Sequence, residues 1–315
     1  MSDVNAAQAG TPTTTTEVAG EPGGTGTGGG SDRTLWGDVR YELTRNPVFW
    51  FSSLLVIVIL LMAFFPQLFA ETSPNESGAC QLLDARRTPT WDKPFGYTVA
   101  GCDMWSSLVY GTGKSVIVAI LVTIGTVLIG VVAGTAAGWF GGFTDTIISR
   151  ITDIFFGLPF ILGALVFLAI FPFRNIYSIS AVLIVLGWTS ITRVMRGSVI
   201  ATKQRDFVDA ARALGASDMF IIRKHILANS IAPVIVLATI GLGSYIGAEA
   251  TLTFLGVGYQ RPTVSWGLLV NEGQTQAIGG LWHLLAYPCG FIVITVLAFI
   301  LLGDVLRDAL DPRTR

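Results

Sequence analysis

The stretch Ser115 to Trp139, SVIVAILVTIGTVLIGVVAGTAAGW, contains no charged residue and decides the fold class. A bilayer-spanning helix needs about 20 consecutive apolar residues, so this stretch is long enough to cross a membrane. Further apolar stretches of similar length lie at 47–69, 147–171, 177–199, 231–255 and 285–303. The sequence therefore predicts an all-α integral membrane protein with six transmembrane helices.

The composition agrees with a membrane location. Hydrophobic residues make up 51% of the 315 residues, charged residues make up 13%, and the mean hydropathy is +0.63. Soluble domains contain about 25% charged residues, so this chain has too little polar surface for a water-soluble enzyme. The net charge of −1 provides no basic field that would attract nucleic acid, and we expect no nucleic-acid partner.

The two ends of the chain are predicted to lie in the cytoplasm. Residues 1–34 contain no aromatic residue and are dominated by Thr, Gly, Ala and Ser, which predicts a disordered tail. Six spans place both termini on one side, and most of the 20 Lys and Arg residues fall on that side. Because cytoplasmic loops carry the excess of Lys and Arg, we expect a multi-pass protein with both termini cytoplasmic.

The connection 70–114 is then extracytoplasmic and contains Cys80 and Cys102. An oxidising compartment permits a disulfide between them, but sequence spacing does not report their geometry. The sequence leaves two alternatives open: a disulfide bridge between these residues, or two free thiols.

Motifs for catalysis and metal binding are incomplete. Gly111 to Ser115, GTGKS, resembles the end of a phosphate-binding loop, but Leu108 stands where that motif needs its first Gly. His225 and His283 fall on opposite sides of the membrane, and neither has a Cys or carboxylate at ligand spacing. We therefore expect a non-catalytic chain with no cofactor and no metal of its own.

The cytoplasmic connection 200–229 has a helical pattern. Phe207, Ala211 and Leu214 recur at helical spacing, Gly215 is placed to end this helix, and Ser217 can cap a second one. Two short helices at a bend are predicted, with small side chains that allow another protein to approach closely. An amphipathic hairpin lying on lipid headgroups is the alternative.

This pattern resembles the signature loop of the transmembrane subunits of bacterial ATP-binding-cassette (ABC) importers. In that loop an acidic residue and two alanines are followed, after three residues, by Gly, and Asp209, Ala210, Ala211 and Gly215 match these positions. In the family the loop forms a coupling helix that docks into a groove of the ATPase subunit. The resemblance implies coupling contacts by Asp209, Ala210, Ala211, Gly215, Ala216 and Ser217.

The resemblance narrows to the "C" type permeases of dipeptide, oligopeptide and nickel importers. The matching blocks, in order, are 137–142 with Asp145, 206–217, 249–256, 265–267 and 303–312. They imply the type I ABC-importer permease fold with an extracytoplasmic loop after helix one. Three positions depart from the family pattern: Ala228 replaces a Pro, Ile300 replaces a frequent Asn, and Thr253 replaces a Ser.

The resemblance also implies an organisation and a function. The implied parts are a tail at 1–34, a first helix with its outer loop at 35–110, a type-1 transmembrane domain at 111–304 and a cytoplasmic end at 305–315. The chain would form half of a translocation pathway for peptides in the bacterial cytoplasmic membrane, with nickel chelates or other small solutes as the alternative substrates. A stand-alone channel or secondary carrier would also have six spans and is the remote alternative.

The same resemblance implies the partners. They are a second permease subunit, two ATPase subunits that carry ATP and Mg, an extracytoplasmic substrate-binding protein, a peptide substrate and the lipid bilayer.

Glu249 lies inside the fifth predicted span. A carboxylate at that depth is costly and needs a partner or an aqueous cavity. It is predicted either to line the translocation path or to be protonated or paired with a neighbouring subunit, and the sequence leaves both open.

Overall fold

The computed structural model describes residues 35–171 and 173–310. The predicted tail 1–34 and the last five residues lie outside the described part. Within it the chain is almost entirely helical and forms no β-strand. The helices are α1 Leu35–Arg45, α2 Pro47–Phe64, α3 Met104–Phe140, α4 Gly142–Phe156, α5 Phe160–Ile170, α6 Ile176–Lys203, α7 Asp206–Ala213, α8 Asp218–Ile221, α9 Leu227–Ser230, α10 Ala232–Phe254, α11 Trp266–Ile278 and α12 His283–Leu310.

Five of these helices, α2, α3, α6, α10 and α12, are long and apolar enough to cross a membrane. They correspond to five of the six predicted spans. The prediction of one continuous helix over 147–171 is wrong, because α4 and α5 meet at an angle of 82°. Pro159 at the break has no N–H to donate and disfavours helical geometry at Leu158 before it. The chain has six spans only when this bent pair is taken as one.

Helix α3 packs against α6 through a row of glycines. Gly130, Gly134 and Gly138 lie four residues apart on α3 and face α6. A Cβ on Gly134 would lie 2.6 Å from the carbonyl oxygen of Thr192, and one on Gly138 would lie 2.9 Å from that of Arg196. The two backbones approach this closely because no side chain separates them.

Ion pairs attach α4 to α6. The guanidinium of Arg196 binds the carboxylate of Asp145 through two nitrogens, with Nη2 2.7 Å from Oδ2. Arg193 Nη2 lies 2.9 Å from Asp153 Oδ1. Both acidic residues of α4 are therefore held by α6, which fixes the direction of α4 before the bend.

The loop between α2 and α3 packs against the start of α12. The ring of Phe95 lies 4.7 Å from that of Tyr287, measured between centroids. Lys93 Nζ donates to Asp103 Oδ2 at 2.8 Å, and this hydrogen bond raises the pKa of Lys93 above its usual value. The loop is thus a folded element attached to the bundle.

A disulfide joins Cys80 to Cys102 in this loop and closes a segment with a sequence separation of 22. Cys289, in α12, is free. The bridge connects the middle of the loop to the residues that immediately precede α3.

We expect Cys80→Ser to lower the melting temperature of the purified protein with little effect on transport. A closed segment of this length contributes about 3 kcal/mol, mainly by restricting the unfolded chain. Thermal melts with and without reductant measure the effect, and Cys289→Ser is the control that removes a thiol outside the loop. Equal melting temperatures with and without reductant would contradict the prediction.

Candidate functional site

The segment between α6 and α10 forms two short helices at a bend. Helix α7 ends at Ala213, and Gly215 follows with a φ of +81°, a left-handed conformation that favours glycine. The N-cap position of α8 is taken by Ser217, whose backbone is extended but whose side chain makes no capping hydrogen bond to the described residues. We call residues 206–221 the coupling segment.

Buried side chains attach the coupling segment to the ends of α3 and α6. Val208 of α7 and Ile221 of α8 are fully buried and belong to one cluster with Trp139 of α3 and Val199 of α6. Lys203, the last residue of α6, donates to the carbonyl oxygen of Trp139. The coupling segment is therefore packed against the ends of two long helices.

The six residues predicted to make the coupling contacts lie together on this segment. Four are exposed, namely Asp209, Ala210, Gly215 and Ser217, and two are half-buried, namely Ala211 and Ala216. Their side chains are small or absent except at Asp209. The structure thus leaves these residues accessible to another protein, and their role in coupling stays a prediction.

Three large apolar side chains on the same segment were missed by the sequence analysis. Leu214 is 88% exposed, Met219 54% and Phe220 53%. Leu214 occupies the C-cap position of α7, directly before Gly215, and is exposed, although helical spacing groups it with the half-buried Phe207 and Ala211. Large exposed apolar side chains are candidates for contact with another protein or with lipid, so we add these residues to the candidate docking surface.

Charged and aromatic side chains of the coupling segment contact one another and Trp139. The guanidinium of Arg212 lies 5.0 Å from the ring centre of Trp139, and its Nη1 lies 3.4 Å from Asp209 Oδ1. The ring of His225 lies about 6 Å from the rings of Phe207 and Phe220. In the described part of the chain no three His, Cys, Asp or Glu residues come together as a metal site.

The chain after the coupling segment is broken at Ile231. Ala228 lies inside α9, and the chain passes from α8 to α9 through a π-helical turn at Ile222–Ile226. Pro233 lies in the first turn of α10, where a proline costs no hydrogen bond.

Glu249 lies at the opposite end of α10 and is fully buried. Its Oε1 accepts a hydrogen bond of 2.8 Å from Thr253, while its Oε2 has no partner among the described residues. The hydroxyls of Ser115 and Ser265 lie beside the carboxyl. This carboxyl is enclosed by α3, α10 and the start of α11. Its role in the translocation path stays a prediction.

Two of the sequence blocks meet at this enclosed carboxyl. Thr253 Oγ1, which donates to Glu249, also accepts from the backbone N–H of Tyr259 at 3.2 Å. Burial and the neighbouring Glu249 carboxyl raise the pKa of the Tyr259 hydroxyl well above its usual value, so it stays protonated. Trp266 Nε1 donates to the Leu108 carbonyl oxygen at 2.9 Å. The blocks 249–256 and 265–267 therefore build one polar cluster that holds the 255–265 connection in place.

Comparisons with known proteins agree with this architecture. Residues 126–315 match the family described as "binding-protein-dependent transport system inner membrane component", and residues 34–86 match the "N-terminal TM domain of oligopeptide transport permease C". The chain belongs to this family of ABC-importer permease subunits. Within the family it is a "C" type permease of the dipeptide and oligopeptide branch.

Individual relatives match along most of the chain. The oligopeptide transport system permease protein OppC of Bacillus subtilis is 32% identical over 90% of this chain and 91% of its own length. The dipeptide permease DppC of the same organism is 34% identical over 88% and 86%. The glutathione permease GsiD of Pectobacterium atrosepticum is 32% identical over 90% and 93%.

A solved structure shows the fold. A chain of the MetNI methionine ABC transporter, in an inward-facing conformation, superimposes with a TM-score of 0.51 at 22% identity, covering 65% of this chain and 97% of that one. At this identity the likeness concerns the fold alone.

Proposed function

We propose that this chain is the permease subunit of a peptide importer and forms half of its translocation pathway. The observation that carries the proposal is the coupling segment, which exposes Leu214, Met219 and Phe220 yet is firmly attached to the bundle. Relatives named as oligopeptide, dipeptide and glutathione permeases support a peptide substrate.

In the proposed mechanism, ATP and Mg are bound by two ATPase subunits, and this chain supplies no catalytic group. Closure of the ATPase subunits presses on the coupling segment. Because Val208 and Ile221 pack on Trp139 and Val199, the movement passes into α3 and α6, which tip the bundle from inward-facing to outward-facing. An extracytoplasmic binding protein then delivers the peptide.

The proposed placement is the bacterial cytoplasmic membrane, with both termini and the coupling segment in the cytoplasm. The excess of Lys and Arg on the predicted cytoplasmic side of the spans supports this orientation. A second, related permease subunit completes the pathway.

Affinity purification of the chain from its native membrane in mild detergent, followed by mass spectrometry, tests the proposal. We expect a second permease subunit and ATPase subunits to co-purify. Changing Leu214, Met219 and Phe220 together to Ser should release the ATPase subunits and retain the second permease, because only the docking surface is altered. Recovery of the chain alone, under conditions that preserve known transporter complexes, would favour a stand-alone channel or carrier.

A further inference from the structure

Glu249 is the centre of a group of buried polar side chains that the proposed transport cycle does not use. Its carboxyl is fully buried near the end of α10, and the hydroxyls of Ser115, Thr253 and Ser265 lie beside it. The Tyr259 hydroxyl lies close enough for this carboxyl to raise its pKa. The four hydroxyl-bearing residues are at most 3% exposed. We call these five residues the carboxyl–hydroxyl cluster.

Close contacts between the helices hold the cluster together. Thr253 Oγ1 donates to Glu249 Oε1 at 2.8 Å and accepts from the backbone N–H of Tyr259 at 3.2 Å. Gly267 lets the start of α11 lie directly on α10, since a Cβ there would lie 2.6 Å from the Ala250 carbonyl oxygen. The polar groups of α3, α10 and the 255–265 connection are therefore fixed around one point.

Three oxygen atoms of the cluster have no hydrogen-bond partner among the described residues, namely Glu249 Oε2, Ser115 Oγ and Tyr259 Oη. Buried side-chain polar atoms rarely lack a partner, and three of the seven such atoms in the described part of the chain belong to this cluster. A proton on the carboxyl supplies a single donor, so it satisfies at most one further oxygen. The arrangement instead favours a small ligand that contacts all three oxygens.

The charge of the cluster limits what this ligand is. Glu249 makes no ion pair with the described Lys and Arg residues, and Lys114, which precedes Ser115 in α3, is exposed. A buried carboxylate needs a counter-charge. One carboxylate among neutral hydroxyls balances one positive charge, whereas a divalent cation would leave a net charge buried. Oxygen ligands without sulfur or nitrogen suit hard cations.

We propose that the carboxyl–hydroxyl cluster binds one monovalent metal cation, Na⁺ or K⁺. The Glu249 carboxylate neutralises the ion, and the hydroxyl oxygens of Ser115 and Tyr259 contact it, so the ion ties α3 to the connection that follows α10. The sequence carries no His, Cys or paired-carboxylate pattern for such a site, because its ligands come from separate parts of the chain. The site goes beyond the proposed transport function and does not depend on it.

Binding of radioactive Na⁺ to the purified full-length chain in detergent tests the proposal. We expect saturable binding of one ion per chain, displaced by excess unlabelled NaCl or KCl. The melting temperature should also rise with NaCl or KCl relative to choline chloride at equal ionic strength, because a ligand that binds only the folded state stabilises it.

Three variants locate the ion. Glu249→Gln keeps the size of the side chain and an acceptor for Thr253 but removes the charge, so it should lose both Na⁺ binding and the salt dependence of melting. Ser115→Ala removes one contacting oxygen and should weaken Na⁺ binding about tenfold. Ser180→Ala is the matched control, since Ser180 is also a buried serine with an unpartnered hydroxyl on a long helix, and it should bind Na⁺ like the wild-type chain.

Each contrary outcome overturns a different step. If the wild-type chain binds no Na⁺ and melts alike in NaCl, KCl and choline chloride, there is no cation site, and a Glu249→Gln protein of wild-type stability would then show that the carboxyl is protonated. If Glu249→Gln keeps the salt dependence, the ion binds elsewhere. If CaCl₂ stabilises the wild-type chain more than NaCl at equal ionic strength, and Glu249→Gln removes that effect, the ion is not monovalent. None of these measurements uses transport, so a failure of the peptide function leaves the test intact.

Discussion

Replacing Gly215 by Asp should abolish uptake while the chain still inserts in the membrane and associates with its second permease. Gly215 is exposed at the bend of the coupling segment, with a φ of +81°, and a Cβ on it would have no atom within 4 Å. The bend therefore has room for a side chain in the isolated chain. In the proposed complex the same position faces the ATPase subunit, where an added carboxylate would be buried without a partner, at a cost of several kcal/mol.

Gly215→Asn is the matched variant for this prediction. Asn and Asp both tolerate the left-handed conformation better than other non-glycine residues, and they have nearly the same size. The two variants therefore differ mainly in charge, and we expect Asn to retain more uptake than Asp. Uptake by whole cells and recovery of ATPase subunits in a pull-down provide the two measurements. If the Gly215→Asp variant takes up substrate at the wild-type rate, the bend has no role in coupling.

The coupling segment could be predicted from the sequence because its signals are local. Gly215 ends the first helix through its own backbone conformation, and Ser217 occupies the cap position of the next. Such signals act within a few residues and need no knowledge of the rest of the fold. The exposure of Leu214 escaped this reasoning, because helical spacing groups it with the half-buried Phe207 and Ala211 and does not report which side chains the rest of the fold covers.

The bend between α4 and α5 was missed because the span was predicted from hydropathy. The stretch 147–171 has a high hydropathy whether the helix is straight or bent. Pro159 was the available local signal. The direction of α4 depends also on Arg193 and Arg196, which lie more than thirty positions further along the chain and are brought to Asp153 and Asp145 only by the fold.

The environment of Glu249 was equally inaccessible to sequence reasoning. A lone carboxylate in an apolar span suggests a functional path, because burial is costly. The structure surrounds it with hydroxyl groups from α3, from its own helix and from the start of α11, and its role in the path stays a prediction. The most distant of those groups in the sequence is on Ser115, 134 positions before Glu249.

Gly134→Leu should strongly destabilise the protein, and we expect it to prevent normal folding. A Cβ at this position would lie 2.6 Å from the Thr192 carbonyl oxygen and 2.7 Å from Cβ of Met195. Overpacking a core typically costs about 1–3 kcal/mol, and here the obstacle includes a backbone atom that cannot change rotamer. Helices α3 and α6 would have to separate along their contact, which also carries the proposed movement from the coupling segment.

Gly197→Leu provides the control, because Gly197 lies on α6 close to the same contact but a Cβ there has no atom within 4 Å. We expect this variant to melt like the wild-type protein. Size-exclusion chromatography of the detergent-solubilised protein after heating gives the melting temperature and the folded yield of both variants. A Gly134→Leu protein with wild-type yield and melting temperature would show that α3 and α6 do not approach this closely. In that case the route proposed for the ATPase movement would have to run through α9 and α10 instead, since these also continue directly from the coupling segment.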